Sequence, residues 1–340
     1  MEFVSEYGLF LAKSVTLVVA VLLVAAGLFS LARGARGASA ERLEVRNLNE
    51  RLRELADALH DEMLDGPERK RLAKERRTQD KAQRKARAKG VAPRARVFVL
   101  DFHGDLQAHA VASLRQEISA VLQVARKEDE ILLRLESAGG LVHAYGLAAS
   151  QLARIRARGL RLTVSVDKVA ASGGYLMACV ADRILAAPFA VVGSIGVVAQ
   201  IPNFNRLLRK NAIDLELHTA GEFKRTLTLF GENTEAARAK FREELEDTHA
   251  LFKRFVAEHR PSLDLARVAT GEHWFGTRAA ELKLVDELRS SDDYLLQRVE
   301  DADVFEVRYR VRRPLSERLG VGLAKLTSAF GHKALEPELP

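Results

Sequence analysis

Two stretches of this 340-residue chain carry residues whose types and spacing suit catalysis: Lys168-Val-Ala-Ala-Ser172-Gly-Gly-Tyr175 and, 52 residues beyond the serine, Gly221-Glu-Phe-Lys224. Ser172 lies where an apolar, strand-like run (Leu160 to Asp167) gives way to a helix-like run (Gly174 to Ala181). A serine at a helix start has backbone N–H groups and the positive end of the helix dipole beside it. That setting suits a nucleophile and the donors for its oxyanion. Gly173 follows directly and supplies one N–H; the Gly139-Gly140 turn, after a neighbouring strand-like run, supplies a second. The serine also needs a base. No histidine lies between His143 and His218, which leaves Lys224, in a short loop after the strand-like run Leu215 to Ala220. A lysine accepts a proton near neutral pH only where burial away from acids favours its neutral form, so Glu222 must point elsewhere. Ser194, in Gly193-Ser-Ile-Gly196, offers a hydroxyl to position the lysine amine.

Other chemistries find less support. Cys179 is the only cysteine, so no intramolecular disulfide forms and a cysteine-based metal site is not indicated. No His-Glu-x-x-His run occurs, Glu272-His273 stands alone, and the sequence calls for no cofactor. His103, His109 and His143 read as ordinary surface or core residues. The net charge of +7 is concentrated between Arg33 and Arg96, where 19 basic residues face 11 acidic ones.

The elements that must position these residues follow from the hydropathy pattern. Ser14 to Ala32 is a run of 19 uncharged, mostly apolar residues, long enough as a helix to span roughly a bilayer core. A transmembrane anchor is expected over residues 8–32, because Ala-Arg-Gly-Ala-Arg-Gly-Ala after it lacks a clean signal-peptide cleavage site. Arg33, Arg36, Arg42 and Arg46 favour a cytoplasmic location for the bulk of the chain. A basic helical stalk is expected over 33–95. Residues 40–64 read as a helix with the seam Val45, Leu48, Leu52, Leu55 and Leu59. After Asp65-Gly-Pro67 a second helix runs to about Ala88 with 11 basic and 3 acidic residues between Pro67 and Lys89. No aromatic interrupts that run to stack on bases, so lipid headgroups or a solvated stalk fit better than nucleic acid.

From Arg96 strands alternate with helix-length spacers, the pattern of an α/β fold with a parallel sheet. Both glycine turns, after Glu136 and after Asp167, fall at the carboxyl ends of strands, where such sheets bind ligands. Ile184 to Asn205 is uncharged over 22 residues, but its prolines and glycines and its place within the alternation mark a buried sheet segment rather than a second span. A catalytic domain is expected over 96–300, including a long helix from Glu235 to His259. A C-terminal extension over 301–340, with a peripheral strand near Val307 to Arg312 and a helix after it, has no assigned chemistry.

Glu-Ser-Ala-Gly-Gly140, Ala-Ala-Ser172-Gly-Gly-Tyr175, Gly-Ser194-Ile-Gly-Val197 and Gly-Glu-Phe-Lys224 resemble, in order and spacing, the signal peptide peptidases of the S49 type. The anchor and charged stalk are similar to its SohB branch. The resemblance covers about residues 1 to 310. It implies a ClpP/crotonase-like fold and an ATP-independent endopeptidase of the cell inner membrane, cleaving unfolded or membrane-derived peptides. It further implies Ser172 as nucleophile, Lys224 as base, Ser194 as the group orienting the lysine, and Gly140 with Gly173 as oxyanion hole. A homo-oligomeric ring in which a neighbour supplies the lysine is expected too, the alternative being a monomer with the complete dyad in one chain. The family turn usually reads Ser-Pro-Gly-Gly; Ala138 stands here in place of the proline. Family analogy puts the catalytic domain outside the cytoplasm, against the charge bias. Two other classes stay open: a crotonase-like acyl-CoA enzyme, which needs neither Ser172 nor Lys224, and a non-catalytic membrane scaffold built on the basic stalk.

Overall fold

The computed structural model describes residues 8, 10–11, 13–22, 41–88 and 94–310. Contacts divide the chain into two compact units, Glu44–Arg308 and a second made of Met1–Leu43 with Tyr309–Pro340. In the second unit residues 13–22 are helical. Residues 23–40 lie outside the described residues, and so does much of the expected anchor. Among the described residues no helix is long and apolar enough to cross a membrane. The helix expected at the chain's C-terminal end also lies outside them.

The larger unit is α/β, as its alternation demands. Its main sheet contains β1 (Arg42–Asn47), β2 (Arg96–His103), β3 (Glu130–Glu136), β4 (Arg161–Val166), β6 (Arg183–Ala186), β9 (Glu287–Leu288) and β10 (Asp303–Arg310), in the order β1-β10-β2-β3-β4-β6-β9. From β10 to β9 every pairing is parallel. A second, three-stranded sheet is formed by β5 (Val169–Ala171), β7 (Val191–Gly193) and β8 (His273–Phe275). The central strands bury both faces, so β2, β3 and β4 read as nearly continuous apolar runs. One face packs against α3 (Val111–Val124) and α4 (Val142–Ala157) through Leu114, Ile118, Leu152 and Ile155. On the other face Val99, Leu132 and Val304 pack with Leu48, Tyr294 and Leu295.

The N-terminal part departs from the expected single helix over 40–64. Arg42 to Asn47 is a strand, and α1 (Leu48–Met63) begins only after it. Arg42-Leu-Glu-Val-Arg46 alternates apolar and charged residues with the period of a strand, and Asn47 caps the helix by accepting the Glu50 N–H at 3.3 Å. Helix α2 (Gly66–Ala88) folds back on α1, with ion pairs Arg76–Asp57 and Arg69–Asp61. Of the expected seam, Leu48 is buried while Val45, Leu55 and Leu59 are exposed. Asn49 fixes the base of this hairpin. Its amide donates to the carbonyls of Val299 and Ala302 at 3.0 and 2.9 Å and accepts the Val304 N–H at 2.7 Å.

Three further expectations need correction. Leu215 to Ala220 forms no strand, and residues 211–234 hold no regular element. Alternation alone makes no strand where no sheet edge takes up the backbone groups. The uncharged run 184–205 is buried only in part: Ile184, Leu185, Val192 and Ile195 are core, whereas Phe189 and Val198 are 81% and 83% exposed. The strand near the C-terminal end lies over Asp303–Arg310 and is interior to the sheet, between β1 and β2, rather than peripheral.

Candidate active site

The two glycine turns are brought together by a short bridge beyond the main sheet. Ser137, after β3, pairs with Ala170 of β5: its N–H donates to the Val169 carbonyl at 2.8 Å, and its carbonyl accepts the Ala171 N–H at 3.0 Å. The Ser137–Gly140 turn is thereby held against Ser172. Ser172 sits between β5 and α5 (Gly173–Ala178) with φ 51° and ψ −119°. A non-glycine residue at positive φ is uncommon, and such strain persists where the surroundings enforce it. Here the Ser172 N–H donates to the Gly193 carbonyl of β7 at 2.8 Å. The Ser172 side chain makes no capping hydrogen bond to the helix, so the hydroxyl is not spent on local structure.

Gly139 (φ 94°) must be glycine, because a Cβ there would lie 2.8 Å from both the Gly173 nitrogen and the Ser172 Cβ. The backbone of the first turn therefore touches that of the second. Gly173 is the first residue of its helix, and an N–H at that position has no intrahelical acceptor. Gly140, Ser172 and Gly173 line one cavity of about 200 Å³. The rest of its wall is mostly apolar and includes Val142, Leu176, Leu251, Phe252 and Phe255.

Three of those wall residues come from α6 (Glu235–His259), a helix located correctly by its sequence but not connected with the site. The signal was present in Leu251, Phe252 and Phe255, an apolar patch on one face of a charged helix. Tyr145 and Ser137 were also missed. Tyr145 is fully buried, and its hydroxyl lies 2.5 Å from the Ser137 Oγ.

Ser194 directly follows the carbonyl that accepts the Ser172 N–H. It has φ 52°, is half-buried, and donates its N–H to the Glu272 carbonyl at 2.7 Å. Gly196 and Val197, just beyond, reach the cavity wall. Lys224 is placed differently. It is exposed on the irregular segment 211–234, its N–H donates to the Gly221 carbonyl at 3.2 Å, and it does not line the cavity that holds Ser172. Glu222 beside it is exposed as well. The structure thus gathers Ser172, Gly140, Gly173 and the Ser194 turn, and leaves Lys224 apart from them.

Comparison with known proteins places the chain in a family. Residues 2–152 match the model for the peptidase family S49 N-terminal region, and residues 154–304 match that for peptidase family S49. A "Probable protease SohB" of Haemophilus influenzae is 48% identical over 327 residues, 94% of this chain and 92% of that protein. A protein of the same description from Buchnera aphidicola subsp. Acyrthosiphon pisum is 62% identical over 223 residues, 66% of each chain. Among solved structures, a membrane-bound stomatin-specific protease superposes with a TM-score of 0.41 at 12% identity, covering 60% of this chain and 84% of its own. With two family models in tandem and a relative matched nearly end to end, the chain belongs to peptidase family S49 and is a serine-type peptidase.

Proposed function

We propose that the chain is a membrane-anchored, ATP-independent endopeptidase with a Ser–Lys dyad. Ser172 Oγ attacks the scissile carbonyl and passes its proton to the neutral amine of Lys224. The oxyanion of the tetrahedral intermediate is held by the N–H groups of Gly140 and Gly173. The intermediate collapses to a seryl ester as the leaving amine takes the proton from Lys224, and water then hydrolyses the ester by the same steps in reverse order. The observation that carries this reading is the placement of Ser172: a strained serine with an uncommitted hydroxyl, in contact with a glycine turn, at an apolar cavity. A cavity of about 200 Å³ suits one small to medium apolar side chain, as extended, unfolded or membrane-derived peptides would present. Such a peptide would add as a strand beside Gly139-Gly140, gaining affinity from its backbone. The uncharged run Ser14 to Ala32 supports the anchor, and the domain limits and ClpP/crotonase-like fold expected from the sequence belong to the same reading.

The position of Lys224 supports completion of the dyad between subunits of a ring, with Ser194 orienting the incoming amine. Lys224 lies outside the Ser172 cavity, on a segment whose Leu215, Leu217, Phe223 and Phe230 are about half exposed. Apolar exposure of that kind marks an interaction surface. Two measurements test the proposal. A serine-directed fluorophosphonate should label the wild-type chain and not Ser172→Ala. Mixed oligomers of Ser172→Ala with Lys224→Ala should regain part of the peptidase activity that each has lost; labelling that persists in Ser172→Ala would refute the nucleophile, and no recovery in verified mixed oligomers would refute the shared dyad.

A further inference from the structure

A line of hydrogen bonds runs from the glycine turn to the loop after β2, and the chemistry described so far makes no use of it. The Gly139 N–H donates to the Ser137 Oγ at 3.1 Å. Ser137 Oγ and Tyr145 Oη are 2.5 Å apart, and Tyr145 Oη donates to the Asp105 carbonyl at 2.8 Å. A carbonyl can only accept, so Tyr145 spends its single hydrogen on Asp105. The Ser137 hydroxyl must then donate to Tyr145 while it accepts from Gly139. Direction is thereby fixed along the whole line: Gly139 N–H to Ser137, Ser137 O–H to Tyr145, Tyr145 O–H to Asp105. Burial holds the Tyr145 hydroxyl above the usual phenol range.

Tyr145 also reaches the other half of the site. A Cβ built on Gly173 would lie 2.4 Å from the Tyr145 Cγ, so the ring is in contact with the backbone that carries the second expected oxyanion donor. The loop holding Asp105 closes the circuit from outside, because the Leu141 N–H donates to the Leu106 carbonyl at 2.9 Å. One buried tyrosine therefore contacts both backbone segments from which the oxyanion donors come. A turn with two consecutive glycines has little conformational restraint of its own. An oxyanion hole accelerates reaction only if its donors are already aimed.

We propose that Ser137 and Tyr145 are positioning residues that hold the Gly140 and Gly173 N–H groups in aim, Ser137 through the Gly139 N–H and Tyr145 through its ring against Gly173 and its hydroxyl on Ser137. The inference rests on the Ser172 reading above. Tyr145→Phe keeps the ring against Gly173 and removes only the hydroxyl; Ser137→Ala removes the acceptor of the Gly139 N–H; Ser137→Thr retains it. The full-length, detergent-solubilised variants are compared for kcat and KM per active site titrated with a fluorophosphonate. They are also compared for inhibition by a peptide aldehyde, whose hemiacetal oxygen occupies the oxyanion hole. In Tyr145→Phe and Ser137→Ala, kcat per titrated site should fall by about 10- to 100-fold and the aldehyde should weaken by a similar factor, with KM moving less than about twofold. Ser137→Thr should recover most of the loss. Wild-type kcat per titrated site in both damaging variants overturns the inference. So does a loss carried by KM or by thermal stability with aldehyde affinity unchanged. Ser172→Ala, measured alongside, separates the two readings: if it remains active the nucleophile assignment fails, and if it is inactive while the relay variants are normal only the positioning role fails.

Discussion

The segments carrying Ser172 and Lys224 are built by different means. Around Ser172 the contacts come from regular elements: β5, β7, α4 and the turn after β3 all fix its neighbourhood, through Ala170, Gly193, Tyr145 and Ser137. The segment 211–234 holds no regular element and is tied by side chains of residues 203–209. Asn203 donates to the carbonyls of Thr228 and Gly231 at 2.9 and 3.0 Å, Asn205 to that of Phe230 at 2.8 Å, and Arg209 pairs with Glu232 at 2.6 Å. One half of the proposed dyad is thus set by regular elements, while the other rests on an irregular loop with exposed apolar side chains. On the proposed reading, such a fold would fix the nucleophile and oxyanion donors in every copy and leave the base to be supplied by assembly.

Four substitutions break or sharpen that contrast. The largest effect is expected from Ser172→Ala and Lys224→Arg, each losing several powers of ten in kcat, as removal of a nucleophile or its base does. Arginine keeps the charge but cannot act as a base, and the loop carrying it should fold unchanged. Steady-state peptide cleavage by Lys224→Arg near the wild-type rate would show that the loop contributes no base. A smaller loss, about 100-fold in kcat, is expected for Gly139→Ala, whose Cβ would press on the Gly173 nitrogen and the Ser172 Cβ. Peptidase assays of the purified variant check it, and an unimpaired enzyme would mean that the two turns do not act together.

The smallest effect on activity is expected from Asp129→Asn, within the sheet-built half but away from the site. Burial alone would raise the Asp129 carboxyl, yet hydrogen bonds from Arg96 and the Arg126 N–H outweigh it and hold it below the usual carboxylate range. A depressed carboxylate stabilises the fold above its unfolded value, near pH 3.9, and that contribution is lost as pH falls through the folded value. Asp129→Asn should therefore cost about 2 kcal/mol at pH 7, with the gap to wild type narrowing below about pH 4. Urea unfolding at both pH values tests this, and kcat per folded molecule should not change.

Much of this was legible in the sequence, and the gaps have physical causes. Ser172, Gly173 and Gly140 could be placed together because glycine turns at the ends of parallel strands must meet at one edge of the sheet. The helix Glu235–His259 was legible from end to end, with Thr234 capping it by accepting the Ala237 N–H. Its share in the cavity was not legible, since periodicity tells which face is apolar and not what that face covers. Leu215 to Ala220 misled because alternation is needed for a half-buried strand but does not supply a partner. Arg42 to Asn47 misled in the opposite way: a heptad-like spacing of Val45 with Leu48 and Leu52 hid a strand whose partner, β10, lies more than 250 residues away. Tyr145 could not be singled out, because a lone tyrosine in a helix carries no spacing signal.

The strand order β1-β10-β2 also sets a schedule for making the protein. The last strand described, Asp303–Arg310, fits between the first two, so the sheet cannot close while the chain is still on the ribosome short of residue 310. At about 5–20 residues per second, β1 and β2 wait on the order of ten seconds to a minute with the edges destined for β10 unpaired. The Asn49 amide, whose three partners all lie between Val299 and Val304, waits equally long. A nascent chain of this design exposes aggregation-prone edges for that whole interval, and premature termination anywhere before β10 leaves a product that cannot complete its sheet.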